Sequence, residues 1–315
     1  MEPPERYFLN RQHVLQVLSF VQQKQKNKEP ASIIRLGDGE GRLLGFPELV
    51  RKKQDNPADK DSKYLDYSLN IWFGHTDFDE GLLGDISLQL RHAVKHADIV
   101  GLPRKNQYHA HGAYRLVFDA MDRYQLWNDQ QAYTDAALHR YLQFGLFYSN
   151  ILDNLDFAGI ITGRNKLASL IQHAFNIAHI DEHLIPEEAQ YATGVVAEHL
   201  PSRFNTLKNE IRVPYKGAVY LVGAGALGKI YCQWVKQAGG IAIDIGSICD
   251  SWSKQGRKMR EDLNIDGYIG NRRVQTLKDK IGRFNKIIDE INIDTEKMTD
   301  KYLEHFLLIG EQMGS

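Results

Sequence analysis

Short apolar runs that stop at a glycine and a polar or charged residue, with helical stretches between them, constrain this chain most. Ser32-Ile33-Ile34-Arg35-Leu36-Gly37-Asp38, Ala97-Asp98-Ile99-Val100-Gly101-Leu102-Pro103 and Phe157-Ala158-Gly159-Ile160-Ile161-Thr162-Gly163-Arg164 read as strands. So do residues 179–185, Val219-Tyr220-Leu221-Val222-Gly223 and Ile241-Ala242-Ile243-Asp244-Ile245-Gly246. Helical patterns near 79–95, 130–150, 166–177 and Lys229–Gln237 separate them. Strands alternating with helices predict an α/β fold with a doubly wound, mostly parallel sheet. The strand ends then put Asp38, Arg104, Arg164 and the loop at Gly223 on one edge, where such sheets bind ligands.

At 315 residues the chain can bury a large core. Val14, Leu15, Leu18 and Val21 recur at helical spacing within 7–25 and predict an amphipathic helix packed on that core. Residues 51–63 are charged and breaker-rich, and read as a loop, either solvent-exposed connection or a lid beside Asp38. The tail over 256–310 is charged and helical in pattern. The pattern divides the chain into an α/β domain with its N-terminal helix (1–255) and a helical extension packed on the same domain (256–315).

Composition excludes several classes. Lys plus Arg (39) and Asp plus Glu (40) nearly cancel, so bulk charge gives no reason to expect nucleic acid. Cys232 and Cys249 make neither a disulfide framework nor a zinc spacing. The polar N-terminus lacks a signal-peptide core, and no apolar run has the length of a membrane span. The expectation is a cytoplasmic protein whose contact with a membrane, if it makes one, is at the surface or through a lipid-linked substrate.

Asp38 and Glu40 are the first chemical feature. Positions i and i+2 of an extended backbone share a side, so both carboxylates could grip one hard cation, Mn²⁺ or Mg²⁺. Gly37 and Gly39 remove side chains where a phosphate would approach, and Arg35 adds a cation on the same strand. The competing reading is a plain Asp-Gly turn.

Gly223-Ala224-Gly225-Ala226-Leu227-Gly228 follows a strand and opens a helix, and Asp244 ends the next strand. This Rossmann-like spacing fits a dinucleotide fingerprint, so an NAD(P)-dependent oxidoreductase is one alternative. The loop can equally hold another phosphate or ribose at a helix start, or be only a tight turn. Downstream, Asp244, Ser247, Asp250 and Trp252 lie close in sequence, and a carboxylate here could act as general base or complete a metal shell. His109 and His111 flank Ala110 with no third ligand nearby, and read as exposed loop residues.

Arg35-Leu36-Gly37-Asp38-Gly39-Glu40, then Val222-Gly223-Ala224-Gly225, then Gly240-Ile241-Ala242-Ile243-Asp244-Ile245-Gly246 together resemble the GT-D fold glycosyltransferases. The likeness spans roughly 30–255. It implies a nucleotide-sugar-dependent transferase in which Asp38 and Glu40 are an Asp-x-Glu metal site holding the cation that bridges the donor diphosphate. It implies donor contacts at Arg35, Gly37, Gly39, Arg104, Gly163, Arg164, Gly223, Gly225 and Ser247, and a base at Asp250 or Asp244. Some relatives carry histidine where this chain has Ser247. The implied partners are a nucleotide diphosphate sugar such as a UDP-sugar, and a glycan or glycoprotein acceptor in polysaccharide or glycan assembly. A non-catalytic nucleotide-binding protein that kept the fold is the second alternative.

Overall fold

A computed structural model of the chain describes residues 13–37, 39–104, 107–108, 112–189, 198–253 and 276–287. Its centre is one seven-stranded sheet in the order β3-β2-β1-β7-β6-β4-β5, with every neighbouring pair parallel. The strands are β1 (Ala31–Arg35), β2 (Ile99–Leu102), β3 (Ala132–Asp135), β4 (Phe157–Thr162), β5 (His179–Leu184), β6 (Val219–Gly223) and β7 (Ile241–Asp244).

Period-two alternation explains how the strands carry two cores. Ile34, Val100, Ile161, Tyr220, Val222 and Ala242 join the apolar cluster on one face. Their neighbours Ile33, Ile99, Ile160, Leu221 and Ile243 join the cluster on the other. Each fully buried aliphatic side chain contributes about 1.5–3 kcal/mol, which is why runs apolar at every position settle in the middle of a sheet. Helices Glu80–His96 and Gly228–Gln237 cover the first face through Leu90, Val94, Ile230 and Val235. Helices His13–Asn27, Leu138–Phe144, Leu167–Phe175 and Ile248–Ser253 cover the second.

The N-terminal helix docks through Val14, Val17, Leu18 and Val21, all buried. From the tail, a helix over 277–287 packs Phe284 on the second face, and Lys280 Nζ donates to Ser149 Oγ at 2.6 Å and Asn150 Oδ1 at 2.7 Å.

Two expectations are corrected. Residues 51–63 are mostly helical: Phe46–Asp55 and Lys60–Phe73 leave only 56–59 between them. The first helix anchors on buried Phe46 and Leu49 while its charged end faces solvent. Asp59 caps the second by accepting from the Ser62 N–H at 2.9 Å. The second correction is β3, which lies in the stretch expected to be helical. It is a four-residue edge strand, too short to show a period and followed directly by Leu138–Phe144.

The connectivity positions the site. The chain builds outward from β1 to β3, crosses to β4 and β5 on the far side, and returns through β6 to insert β7 beside β1. Register pairs Ile33 with Ile243 and Val222 with Asp244. The carboxyl ends of β1, β7 and β6 therefore lie side by side at the reversal of strand order, where open α/β sheets bind ligands.

Candidate active site

The turn after β1 begins with buried Leu36 and runs through Gly37 and Gly39 into the helix Glu40–Leu44. Gly39 is right-handed helical rather than extended (φ −79°, ψ −39°). Asp38 lies outside the described residues, as do His109 and His111. A Cβ at Gly39 would collide with the indole of Trp72, which lies on this turn from the end of helix Lys60–Phe73.

Glu40 is 8% exposed and both of its oxygens are engaged. Oε2 accepts the Gly37 N–H at 2.8 Å, and Oε1 pairs with the Lys229 ammonium. Lys229 is the second residue of the helix that follows the glycine loop, and it is 3% exposed. Its Nζ also donates to the Gly225 carbonyl at 2.9 Å and stands 3.0 Å from Asp244 Oδ2. Burial works to lower the lysine pKa, but the Asp244 and Glu40 charges outweigh it and hold the ammonium above its ordinary value.

Asp244 ends β7 and is itself 3% exposed. Its Oδ1 accepts from Arg35 Nη2 at 2.9 Å, and its carbonyl accepts from Arg35 Nε at 3.0 Å. Burial raises the Asp244 pKa, yet Arg35 and Lys229 together hold it below the usual carboxylate value. The remaining Arg35 nitrogen, Nη1, donates to Ala136 O at 2.9 Å and meets His139 Nδ1 at 2.9 Å. His139 is buried, and that burial, with Arg35 beside it, pushes its pKa well below the ordinary imidazole value. Ser247 Oγ reaches His139 Nε2 at 3.4 Å. Arg35, Glu40, Lys229 and Asp244 thus close a network of two cations and two carboxylates.

A second cluster stands at the end of β4. Arg164 Nε meets Asp250 Oδ1 at 2.8 Å, and Nη1 meets Glu187 Oε1 at 2.8 Å. Asp250 sits on helix Ile248–Ser253, so this arginine ties the β4 loop to the helix after β7. Gly163 packs beside it, where a Cβ would lie 3.3 Å from Glu187 Cα. Gly223 makes room for Cys249, whose sulfur a Cβ there would strike, and Gly225 takes a positive φ of 55° that suits a residue without a side chain. Beyond β2, Arg104 keeps 35% of its side chain exposed and stands 3.8 Å from Asp135 Oδ2. Of the three arginines expected to contact phosphate, it is the most accessible; Arg35 and Arg164 are already bound internally.

The sheet edge therefore gathers Arg35, Gly37, Gly39, Glu40, Gly223, Gly225, Asp244 and Ser247 at β1, β6 and β7. Gly163, Arg164 and Asp250 gather at β4, and Arg104 stands apart beyond β2. Sequence reasoning passed over Lys229, His139 and Trp72. Only Lys229 carried a signal: a lysine directly after the loop glycine, in a helix otherwise apolar enough to be buried along its first two turns. Of the two ligands expected for Mn²⁺ or Mg²⁺, Asp38 lies outside the described residues, which leaves Glu40. Glu40 has given one oxygen to a backbone N–H and the other to an ammonium. Among the described residues no group of three or more His, Cys, Asp or Glu side chains could hold a metal. Among them, too, no helix is long and apolar enough to cross a membrane.

Comparison with known proteins agrees with this architecture. No curated protein matches the chain. Among solved structures, a glycosyltransferase of the domain-of-unknown-function-1792 group from Streptococcus sanguinis superposes with a TM-score of 0.50 at 15% identity, covering 76% of this chain and 81% of that one. A second, described as domain of unknown function 1792 with a distinct glycosyltransferase fold, has a TM-score of 0.47 at 14% identity, covering 76% and 78%. A family model described as a GT-D fold-like domain matches residues 12–252. A match over that much of the chain means that the protein belongs to the GT-D-like family.

Proposed function

We propose that this protein is a glycosyltransferase that moves a sugar from a nucleotide diphosphate sugar to a hydroxyl acceptor in polysaccharide or glycoprotein glycan assembly. The observation that carries the reading is the joining, by Lys229, of the turn after β1 to the glycine loop after β6, at the sheet edge of a GT-D-like fold. The turn Gly225–Leu227, directly ahead of helix Gly228–Gln237, is where backbone N–H groups would meet a diphosphate, since the Gly228 N–H already donates to the Ala224 carbonyl. Arg104 is the guanidinium best exposed to reach a phosphate oxygen.

Of the two carboxylates considered as base, Asp250 suits the role better. Its side chain is 19% exposed against 3% for Asp244. A base has to reach the acceptor hydroxyl, and Asp244 is closed in by Arg35 and Lys229. The burial of Asp244 argues against an NAD(P)-dependent oxidoreductase, because an acid for the ribose needs an accessible oxygen at the end of β7.

The test is nucleoside diphosphate release from a panel of UDP- and GDP-sugars with simple glycoside acceptors, beside NAD(H) binding. Acceptor-dependent release from one donor supports the proposal. NAD(H) binding without release would hand the function to the oxidoreductase reading, and nucleotide binding without turnover to a non-catalytic one.

A further inference from the structure

The Asp-x-Glu reading leads to a divalent cation, whereas the fold has put a lysine there. Lys229 Nζ has three oxygens around it, from Glu40, Asp244 and Gly225. The ammonium hydrogen-bonds the Gly225 carbonyl and lies within ion-pair distance of both carboxylates, while Asp244 Oδ2 has no hydrogen bond among the described residues. The three oxygens come from three different segments: the turn after β1, the end of β7 and the glycine loop after β6. Arg35 supplies the second positive charge from the opposite side of Asp244. Two buried carboxylates are thereby neutralised by two buried cations, all within the chain. A divalent ion of the Mg²⁺ kind wants about six oxygens near 2.1 Å, and to take Glu40 or Asp244 it would have to stand where the ammonium already is.

We propose that Lys229 is the resident cation of the Glu40–Asp244 pair, a positioning residue whose ammonium occupies the side of Glu40 that a divalent ion bridging it to Asp244 would need. It pins the turn after β1 against the glycine loop. The consequence for the donor rests on the transferase reading above: with Glu40 and Asp244 already balanced by Lys229 and Arg35, a nucleoside diphosphate gains nothing from a metal at Glu40.

The experiment has a metal arm and a nucleotide arm. In the first, Mn²⁺ alone is added to the wild-type chain, to Glu40→Gln and to Lys229→Met, and the free-ion signal is followed by electron paramagnetic resonance. Wild type is expected to leave that signal unchanged, whereas Lys229→Met, with its carboxylates vacated, takes up Mn²⁺. Uptake by wild type that Glu40→Gln abolishes would overturn the proposal. This comparison stands even if Lys229→Met does not fold.

In the second arm UDP is titrated into wild type by calorimetry, with Mn²⁺ and with chelator. The expected affinities agree within about twofold. A gain of about tenfold or more with Mn²⁺, lost in Glu40→Gln, would also overturn it. If UDP binds in neither condition, the UDP-donor reading fails while the Mn²⁺ arm still decides the role of Lys229. Lys229→Arg, which keeps the charge, is expected to remain indifferent to Mn²⁺, unlike Lys229→Met.

Discussion

Arg35 and Asp244 are 209 residues apart and are joined twice, through Arg35 Nε to the Asp244 carbonyl at 3.0 Å and Nη2 to its Oδ1 at 2.9 Å. The fork clamps the adjacent ends of β1 and β7, the two strands that meet where the sheet reverses its order. Both side chains are largely closed to solvent, at 13% and 3% exposure.

Removing one member of that pair should strand a buried charge. Arg35→Ala is expected to lower the unfolding free energy by about 3–5 kcal/mol. Arg35→Lys keeps the charge but loses the planar fork, and is expected to cost less than Arg35→Ala. Urea denaturation followed by tryptophan fluorescence measures both. A loss under about 1 kcal/mol for Arg35→Ala would mean that the clamp contributes no more than a surface pair.

Acid should destabilise the fold in two stages. Burial, with Arg203 nearby, brings His199 down to about 4, and its ring meets the Tyr231 hydroxyl at 2.7 Å. His139 is lowered in the same direction by burial and by the Arg35, Arg140 and Lys229 charges. Both are neutral in the fold but take up protons from about pH 6.5 when unfolded, so stability is full above that value and falls as pH drops toward 4. For His199 alone the fall approaches roughly 3 kcal/mol. The Asp244 contribution goes next, below its ordinary value of 3.8, as that carboxylate is finally protonated. Unfolding free energy measured between pH 7.5 and 4.5 should decline, and His199→Gln should reduce the slope by about one proton at the acid end. An unchanged slope in that variant would remove His199 as the source.

The glycine loop separates packing from backbone conformation. Alanine at Gly223 would strike Cys249 Sγ and lie 3.2 Å from the Gly246 carbonyl. We expect a loss of about 1–3 kcal/mol, partly restored by adding Cys249→Ala. Alanine at Gly225 has space, its nearest neighbour being Glu188 Oε1 at 3.7 Å, and pays only for φ +55°. That cost is about 1–2 kcal/mol. Thermal melts of both variants and of the double variant rank them; a milder effect at Gly223 than at Gly225 would contradict this packing.

Asp250 and Glu187 share Arg164, so each is the control for the other. Asp250→Asn is expected to lower transferase turnover by about 10²–10⁴-fold if Asp250 is the base. Glu187→Gln should disturb Arg164 to a similar degree while leaving most turnover in place. Equal losses of turnover in the two variants would assign Asp250 to holding Arg164 in place.

The fold was largely legible because its signal is local. Continuous apolar runs such as Ile33-Ile34 and Leu221-Val222 carry side chains for both faces, and glycine marks where several strands stop. Elements without a strong local signal were misread. Ala132–Asp135 is too short and too polar to announce an edge strand. The charged run at 51–55 concealed a helix held by Phe46 and Leu49 upstream. At the site, the acidic turn and the glycine loop were visible as motifs, but their chemistry was not. Glu40 reads as a metal ligand and Asp244 as a base or a ribose acid; that Lys229 pairs with Glu40 and Arg35 with Asp244, 209 residues away, has no local signal.

Sequence by itself determined the strand and helix alternation, the doubly wound class and the edge on which the loops collect, because burial periodicity is written within a few residues. Tertiary structure alone decided the charge pairing. Inserting β7 between β1 and β6 brings Asp244 beside Arg35 and under Lys229, and strand order is a property of long-range packing. A buried carboxylate takes whatever cation the fold delivers, so the state of Glu40 and Asp244 follows from that order.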